Sequence, residues 1–295
     1  MFYFLSLLTG IIIAVMIAVN GGLTGQYGIY TATVIIHLAG LPPTIALLLI
    51  KRDKVFSALF SNARIPWFFY LGGAVGLTTT VFNNLSFGRI SVSALLALGL
   101  LGQAVTGLVV DQYGLLGMKK HPFSARKIIG LVLIIVGIVY MINSIEILAV
   151  VLSFLAGTSI VVSRTLNAGL SSMTNLRIAT FCNYMVGLVF AVFVLLILGR
   201  GEIAAFHFAP NFSIWWIYFG GMLGVCVVLI SNVTVIKISA FYLTLLVFIG
   251  KIFAGILIDI VLAGYLSSRN LIGGVLVAFG LCVNLFLDNK NSSSK

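Results

Sequence analysis

The sequence predicts an all-α integral membrane protein, and three observations carry that reading. Of its 295 residues, 61% are hydrophobic and only 8% are charged, whereas soluble domains carry about a quarter charged residues. Mean hydropathy is +1.22, which excludes a soluble globular or disordered chain. The apolar residues form long runs instead of alternating with polar ones, which excludes a water-filled β-barrel as well.

A spanning helix needs about 20 predominantly apolar residues. Ten stretches qualify: Phe2–Val19, Ile29–Ile50, Pro66–Phe87, Ile90–Val110, Ile128–Ile142, Ile147–Ser163, Ile178–Leu198, Ser213–Val235, Ile238–Leu262 and Leu271–Leu287. The first has no Lys or Arg ahead of it, so it reads as a retained span and not as a cleaved signal. Cys182, Cys226 and Cys282 all fall inside apolar runs at spacings that fit no metal site. No metal and no cofactor is expected.

The net charge is +11 from 17 basic and 6 acidic residues. Most basic residues sit in short loops, a pattern that sets membrane orientation and does not point to nucleic acid. With ten spans, one side holds Lys51, Arg52, Lys54, Arg64, Lys119, Lys120, Arg126, Lys127, Arg164, Arg177, Lys237, Lys290 and Lys295. The other side holds only Arg89, Arg200 and Arg269, and Lys251 lies within a span. This bias predicts a multi-pass protein with both termini in the cytoplasm.

The chain also repeats itself. At an offset of 148, Trp67 meets Trp215, Tyr70 meets Tyr218, and Gly72-Gly73 meets Gly220-Gly221. Further along, Gly76 meets Gly224, Asn84 meets Asn232, Ile90-Ser91 meets Ile238-Ser239, Gly102 meets Gly250, Gly107 meets Gly255 and Asp111 meets Asp259. At 147, Asn20-Gly-Gly-Leu23 aligns with Asn167-Ala-Gly-Leu170, and Gly40 with Gly187. At 143, Gly130 and Gly137 pair with Gly273 and Gly280. Shared hydrophobicity does not match Trp, Asn and Asp in one register. The expected architecture is therefore one membrane domain of two five-helix repeats, 1–145 and 146–295. Five is odd, so the second copy enters the membrane inverted, an arrangement that marks carriers.

These residues resemble a family. Ten spans in two inverted halves are similar to the drug/metabolite transporter superfamily. The run Gly102-Gln103-Ala-Val-Thr-Gly107-Leu-Val-Val-Asp111-Gln-Tyr-Gly114, with Asn20-Gly-Gly-Leu23, resembles the signature of its YdcZ-type branch. The resemblance covers the whole chain. It implies a bacterial inner-membrane carrier with a central cavity, alternating access, and small polar or amphiphilic metabolites as substrates. The second copy departs from the motif, because Lys251 stands where the first has Gln103.

Lys251 is the most informative position. It lies near the middle of the ninth span, where an ammonium costs several kcal/mol and cannot easily reach either surface. It is expected to face a watery cavity or a counter-charge. The structural alternative is an ion pair that locks two helices. Lys251, Gly255 and Asp259 share one helix face, as do Gln103, Gly107 and Asp111. The two Asp residues lie near span ends and are expected to cap a neighbouring helix or hold a loop.

Gly73, Gly76, Thr80 and Asn84 form a stripe on the third span, matched by Gly221, Gly224 and Asn232 on the eighth. The glycines suit a packing seam. The Asn side chains need hydrogen-bond partners, from a cavity or from another helix. Asn20 and Asn167 are expected to end their helices. His37 precedes Pro42-Pro43, which are expected to kink the second span. Its repeat mate is Tyr184, beside Asn183. Arg164, close to the end of the sixth span, reads as an interfacial anchor, with a second cationic ligand as the alternative.

The six acids are Asp53, Asp111, Glu146, Glu202, Asp259 and Asp288, and none sits at a span centre. Proton or cation antiport through a central carboxylate has no candidate. The leading expectation is a secondary transporter of a small anionic or zwitterionic metabolite, bound at a midplane site. Lys251, Gln103, Asn84, Asn232, His37, Asn183 and Tyr184 are the candidate substrate-binding residues. Asp111, Asp259, Asn20, Asn167 and Arg164 are the structural or gating ones. Competing readings are an exporter of small cationic or amphiphilic compounds, a lipid flippase and a channel. A membrane enzyme is disfavoured, because His37, His121 and His207 are scattered and the acids are dispersed. The expected partners are the substrate and lipid, with the chain acting as a monomer or homodimer. The faces Gly130/Gly137 and Gly273/Gly280 could pack on another copy or on another helix.

Overall fold

The computed structural model describes residues 1–52, 65–114, 127–142, 146–205, 212–235 and 240–292. Among them there is helix, turn and one isolated bridge between Phe87 and Ile90, and no strand. Asp53, Lys54, Arg64, Lys119, Lys120, His121, Arg126, His207, Lys237, Ile238-Ser239 and Lys295 lie outside the described residues.

In chain order the main helices are α1 (Phe2–Tyr27), α2 (Ile29–Lys51), α3 (Gly72–Ser86), α4 (Val92–Tyr113), α5 (Lys127–Met141), α6 (Ile147–Met173), α7 (Leu176–Leu198), α8 (Gly220–Val235), α9 (Ala240–Ala263) and α10 (Ser268–Ser292). Two 3-10 helices, Trp67–Leu71 and Phe212–Phe219, lead into α3 and α8. A short helix, Arg200–Ala204, follows α7.

Helix runs through part of every expected stretch. Seven segments of the described residues are long and apolar enough to cross a membrane, and two shorter apolar helices are Ile128–Met141 and Ser268–Asn284. The shortfall against ten has local causes. The third stretch opens as 3-10 helix, and α3 itself is 15 residues with three Gly and three Thr. α5 is also only 15 residues long.

α2 runs as one helix through Pro42-Pro43. One local expectation needs correction. Neither Asn20 nor Asn167 ends a helix, because α1 runs on to Tyr27 and α6 to Met173. Arg164 also lies within α6, just after the apolar run stops at Ser163. Hydropathy falls after Ser163, but the backbone hydrogen bonding of the helix does not.

Helix starts are fixed by side-chain acceptors, since the first N–H groups of a helix lack partners of their own. Gly28, at φ +87°, turns the chain between α1 and α2. The Glu202 carboxylate then accepts the N–H groups of Ile29 (2.8 Å), Tyr30 (3.0 Å) and Thr31 (2.8 Å). A Cβ at Gly28 would collide with that carboxylate. Asn175 caps α7 by accepting from Ile178 N at 2.9 Å.

The chain divides into two compact units. The first holds Met1–Ala18, Ser86–Thr158 and Val227–Lys295, and the second Val19–Leu85 and Ser159–Cys226. Each unit therefore draws helices from both sequence repeats.

Within the first unit, α5 and α10 pack together along glycines. A Cβ at Gly130 would stand 2.6 Å from the Gly280 carbonyl oxygen, and one at Gly137 2.7 Å from that of Gly273. Residue number rises along one helix as it falls along the other, so the pair is antiparallel. Of the two partners expected for these glycine faces, the structure provides the other helix. Gly10 fits against Val247 and Lys251, and Gly157 against Gly99 and Gln103. Lipid offers no hydrophobic drive between helices, so such close backbone approach supplies the packing contact instead. The core around these seams includes Leu95, Ile134, Phe248, Ile252 and Val277.

Within the second unit, α2 and α7 also pack antiparallel. The Tyr184 ring fills the space over Gly40, and the His37 ring the space over Gly187. Gly73 sits on the Asn183 backbone, and Gly221 on that of Ile36. These four contacts thus form two pairs in which the roles of the copies are exchanged.

Candidate functional site in the two helical units

In the second unit, α3, α6 and α7 bring polar side chains together inside an apolar bundle. Asn167 Nδ2 donates to Asn183 Oδ1 at 2.7 Å and lies 3.3 Å from Ser163 Oγ. Ser163 Oγ in turn donates to the Gly72 carbonyl oxygen at 2.7 Å. Thr78 Oγ1 donates to Ser159 Oγ at 2.8 Å along the same crossing. The position of Gly76 keeps this cluster open, because a Cβ there would stand 3.1 Å from Ser163 Oγ. Asn167 and Asn183 are half-buried. Ser163 was not singled out in the sequence. Its i,i+4 spacing from Asn167, on a helix that continues past both, was the available signal.

Arg164 lies three residues before Asn167 on α6. Arg164 is exposed. No hydrogen bond or ion pair engages it among the described residues.

The other expected site residues of this unit have structural partners. His37 is 5% exposed, and its Nδ1–H donates to the Thr33 carbonyl oxygen at 2.8 Å. The Tyr184 hydroxyl donates to the Gly221 carbonyl oxygen at 3.0 Å. Asn84 Nδ2 reaches Thr33 Oγ1 at 3.5 Å from a buried position. Asn20 is buried, and its Oδ1 accepts no hydrogen bond among the described residues.

In the first unit, Lys251 falls at the centre of the 24-residue α9 and is 8% exposed. It has an interaction partner in the structure. Its repeat mate Gln103 is half-buried and donates back to the Gly99 carbonyl oxygen at 3.3 Å within α4. Gly255 lies in close approach to Ser93 of α4, whereas Gly107 has open space around it.

Asp259 binds the start of α4. It accepts from Val92 N at 2.6 Å, from Ser93 N at 3.0 Å, from the Ser93 hydroxyl and from Asn270 Nδ2 at 3.2 Å. Its mate Asp111 lies in the last turn of α4, and Asn232 lies on α8. The side chains of both are outside the described residues. A cavity of about 350 Å³ adjoins Asp259, lined also by Arg89, Ser91, Tyr265, Ser267 and Asn270. Arg89 pairs with Glu146 at 3.7 Å beside it. No group of three His, Cys, Asp or Glu that could hold a metal occurs among the described residues.

Long apolar helices that carry hydrogen-bonded polar side chains in their interior define an integral membrane protein of the all-α class. The family model described as "Putative inner membrane exporter, YdcZ" matches residues 1–140 and again 148–287. The chain belongs to this family of inner-membrane transporters. The two matches begin 147 residues apart, the same offset that relates Asn20 to Asn167. No curated protein matches the chain.

Proposed function

We propose that the chain is a secondary transporter that moves a small anionic or zwitterionic metabolite across the inner membrane by alternating access. One observation carries the charge preference. Of the charged side chains, the cation Lys251 lies at the centre of α9 and Arg164 within α6, whereas the described carboxylates with partners, Glu146, Glu202 and Asp259, stand towards helix ends. Interior ionisable residues in membrane proteins belong by default to substrate or ion pathways. A carrier of cations would need a carboxylate at that depth.

Antiparallel packing of repeat-equivalent helices supports the inverted ten-span arrangement. α2 is equivalent to α7 and α5 to α10, and in each pair the two run in opposite directions. Two copies related by a pseudo-two-fold axis in the membrane plane can open in turn to either side. The family's description as an exporter favours outward movement. Lys251 supplies a positive charge at the midplane, with Gln103 as its uncharged equivalent.

The test is charge movement in protein reconstituted on solid-supported membranes. Steps of lactate, succinate, glutamate and glycine are applied, with ethidium and tetraphenylphosphonium as cationic probes. Currents with the carboxylates that fall at least tenfold in Lys251→Gln support the reading. Currents with the cations alone, or carboxylate currents unchanged in Lys251→Gln, overturn it.

A further inference from the structure

The duplication allows each polar residue of the α3–α6–α7 crossing to be compared with its own equivalent. Offsets of 147 and 148 map Ser159 to Ile12, Ser163 to Met16, Arg164 to Ile17, Asn183 to Ile36 and Thr78 to Cys226. Only Asn167 keeps its identity, as Asn20. Contacts at these glycines recur in both copies: the Asn167 side chain lies against Gly72 as that of Asn20 lies against Gly220, and Gly73 sits on the Asn183 backbone as Gly221 sits on that of Ile36. These contacts therefore do not require the rest of the polar set. Apart from Asn20, the first copy has apolar side chains or Cys226 at the equivalent positions.

Polarity that these contacts do not need calls for another explanation, because polar side chains among apolar helices carry a desolvation cost. The donors of the cluster are also not exhausted. Asn183 Oδ1 accepts from Asn167, but no hydrogen bond from Asn183 Nδ2 occurs among the described residues. The residue is half-buried, and Gly76 beside it contributes no side chain to cover it. Arg164 is accessible and, on the α6 surface, neighbours Asn167 at i,i+3. A guanidinium fork with amide N–H groups beside it matches a carboxylate.

We infer that Arg164 and Asn183, with Asn183 held by Asn167 and Ser163, form a recess that binds the carboxylate of the transported metabolite, and that it exists in the second copy alone. This inference rests on the proposed anion or zwitterion transport and assigns that substrate a binding group distinct from Lys251. Ser163 positions Asn167, and Gly76 leaves the approach open.

The experiment titrates purified full-length protein with lactate, succinate, glutamate and glycine, reading the apparent Kd from thermal shift. Ligand that binds the folded state raises its melting temperature. At least one probe is expected to bind, with Arg164→Gln and Asn183→Ala each weakening it about tenfold or more, as loss of a charge-assisted hydrogen bond does. Arg164→Lys keeps the charge without the fork and should fall between. Asn20→Ala, at the apolar equivalent, should leave the Kd unchanged. The melting temperature of each unliganded variant shows whether it folds. Binding that survives both Arg164→Gln and Asn183→Ala, or is lost equally in Asn20→Ala, overturns the recess. If binding survives those two but is lost in Lys251→Gln, the transport reading stands and the recess falls. Binding of none of the four probes overturns the recess, and binding of ethidium in their place overturns both.

Discussion

Asp259, near the end of α9, accepts the backbone N–H of Val92 at 2.6 Å, so one helix supplies the cap of another that precedes it by more than a hundred residues. The same carboxylate accepts from Ser93 N at 3.0 Å. Removing it leaves two N–H groups at the start of α4 without partners. Asp259→Ala is therefore expected to cost about 1–3 kcal/mol, seen as a lowered melting temperature in detergent. Asp259→Asn, which keeps one acceptor oxygen, should lose less. Equal stability of all three proteins would show that the cap contributes nothing.

The glycine seam between α5 and α10 gives a second expectation. A Cβ at Gly130 meets the Gly280 carbonyl oxygen at 2.6 Å and Asn284 N at 2.9 Å, and backbone cannot swing aside as a side chain can. Gly130→Ala should destabilise by about 1–3 kcal/mol. Gly107→Ala is the matched control, since nothing lies within 4 Å of its added carbon. It should be neutral, or stabilise by up to about 1 kcal/mol through helix propensity. Urea or SDS unfolding of both variants side by side decides the point.

Asn20 and Asn167 occupy equivalent places with unequal surroundings. Asn167 donates to Asn183 at 2.7 Å, whereas Asn20 Oδ1 is buried without a donor among the described residues. Truncating Asn20 to Ala removes an unsatisfied oxygen and should change stability by less than about 0.5 kcal/mol. Asn167→Ala strands Asn183 and should cost about 1–2 kcal/mol. Reversal of that order in thermal unfolding would count against the assigned hydrogen bonds.

Tyr184 serves as a test of packing as distinct from binding. Its hydroxyl reaches the Gly221 carbonyl oxygen at 3.0 Å, and its ring covers Gly40. Tyr184→Phe keeps the ring and should cost about 0.5–1.5 kcal/mol. Carboxylate affinity should not change, and a weakened Kd at unchanged stability would place Tyr184 at the ligand instead.

Much of this fold was readable because lipid imposes a strong rule on sequence. Apolar runs had to be helices, and matched Trp67/Trp215 and Asn84/Asn232 exposed the duplication. Helix ends were less legible. Hydropathy fell after Val19 and Ser163, yet α1 and α6 continue because polar residues such as Asn20, Arg164 and Asn167 still complete their backbone hydrogen bonds. Reading the sixth span as ending at Ser163 hid the relation of Asn167 to Ser163 and Asn183. Partnerships between distant helices were not legible at all. Nothing in Gly130 or Gly280 taken alone says that each is the other's seat.

The interleaving of the two copies has a consequence for how the chain can be divided. A polypeptide cut in the loop between α5 and α6 would yield two pieces, each missing half of both compact units. Neither piece could close its glycine faces alone, yet together they would retain every seam found in the intact molecule. The covalent link is then a guarantee of equal supply and correct pairing, and coexpressed fragments should assemble where a lone fragment cannot.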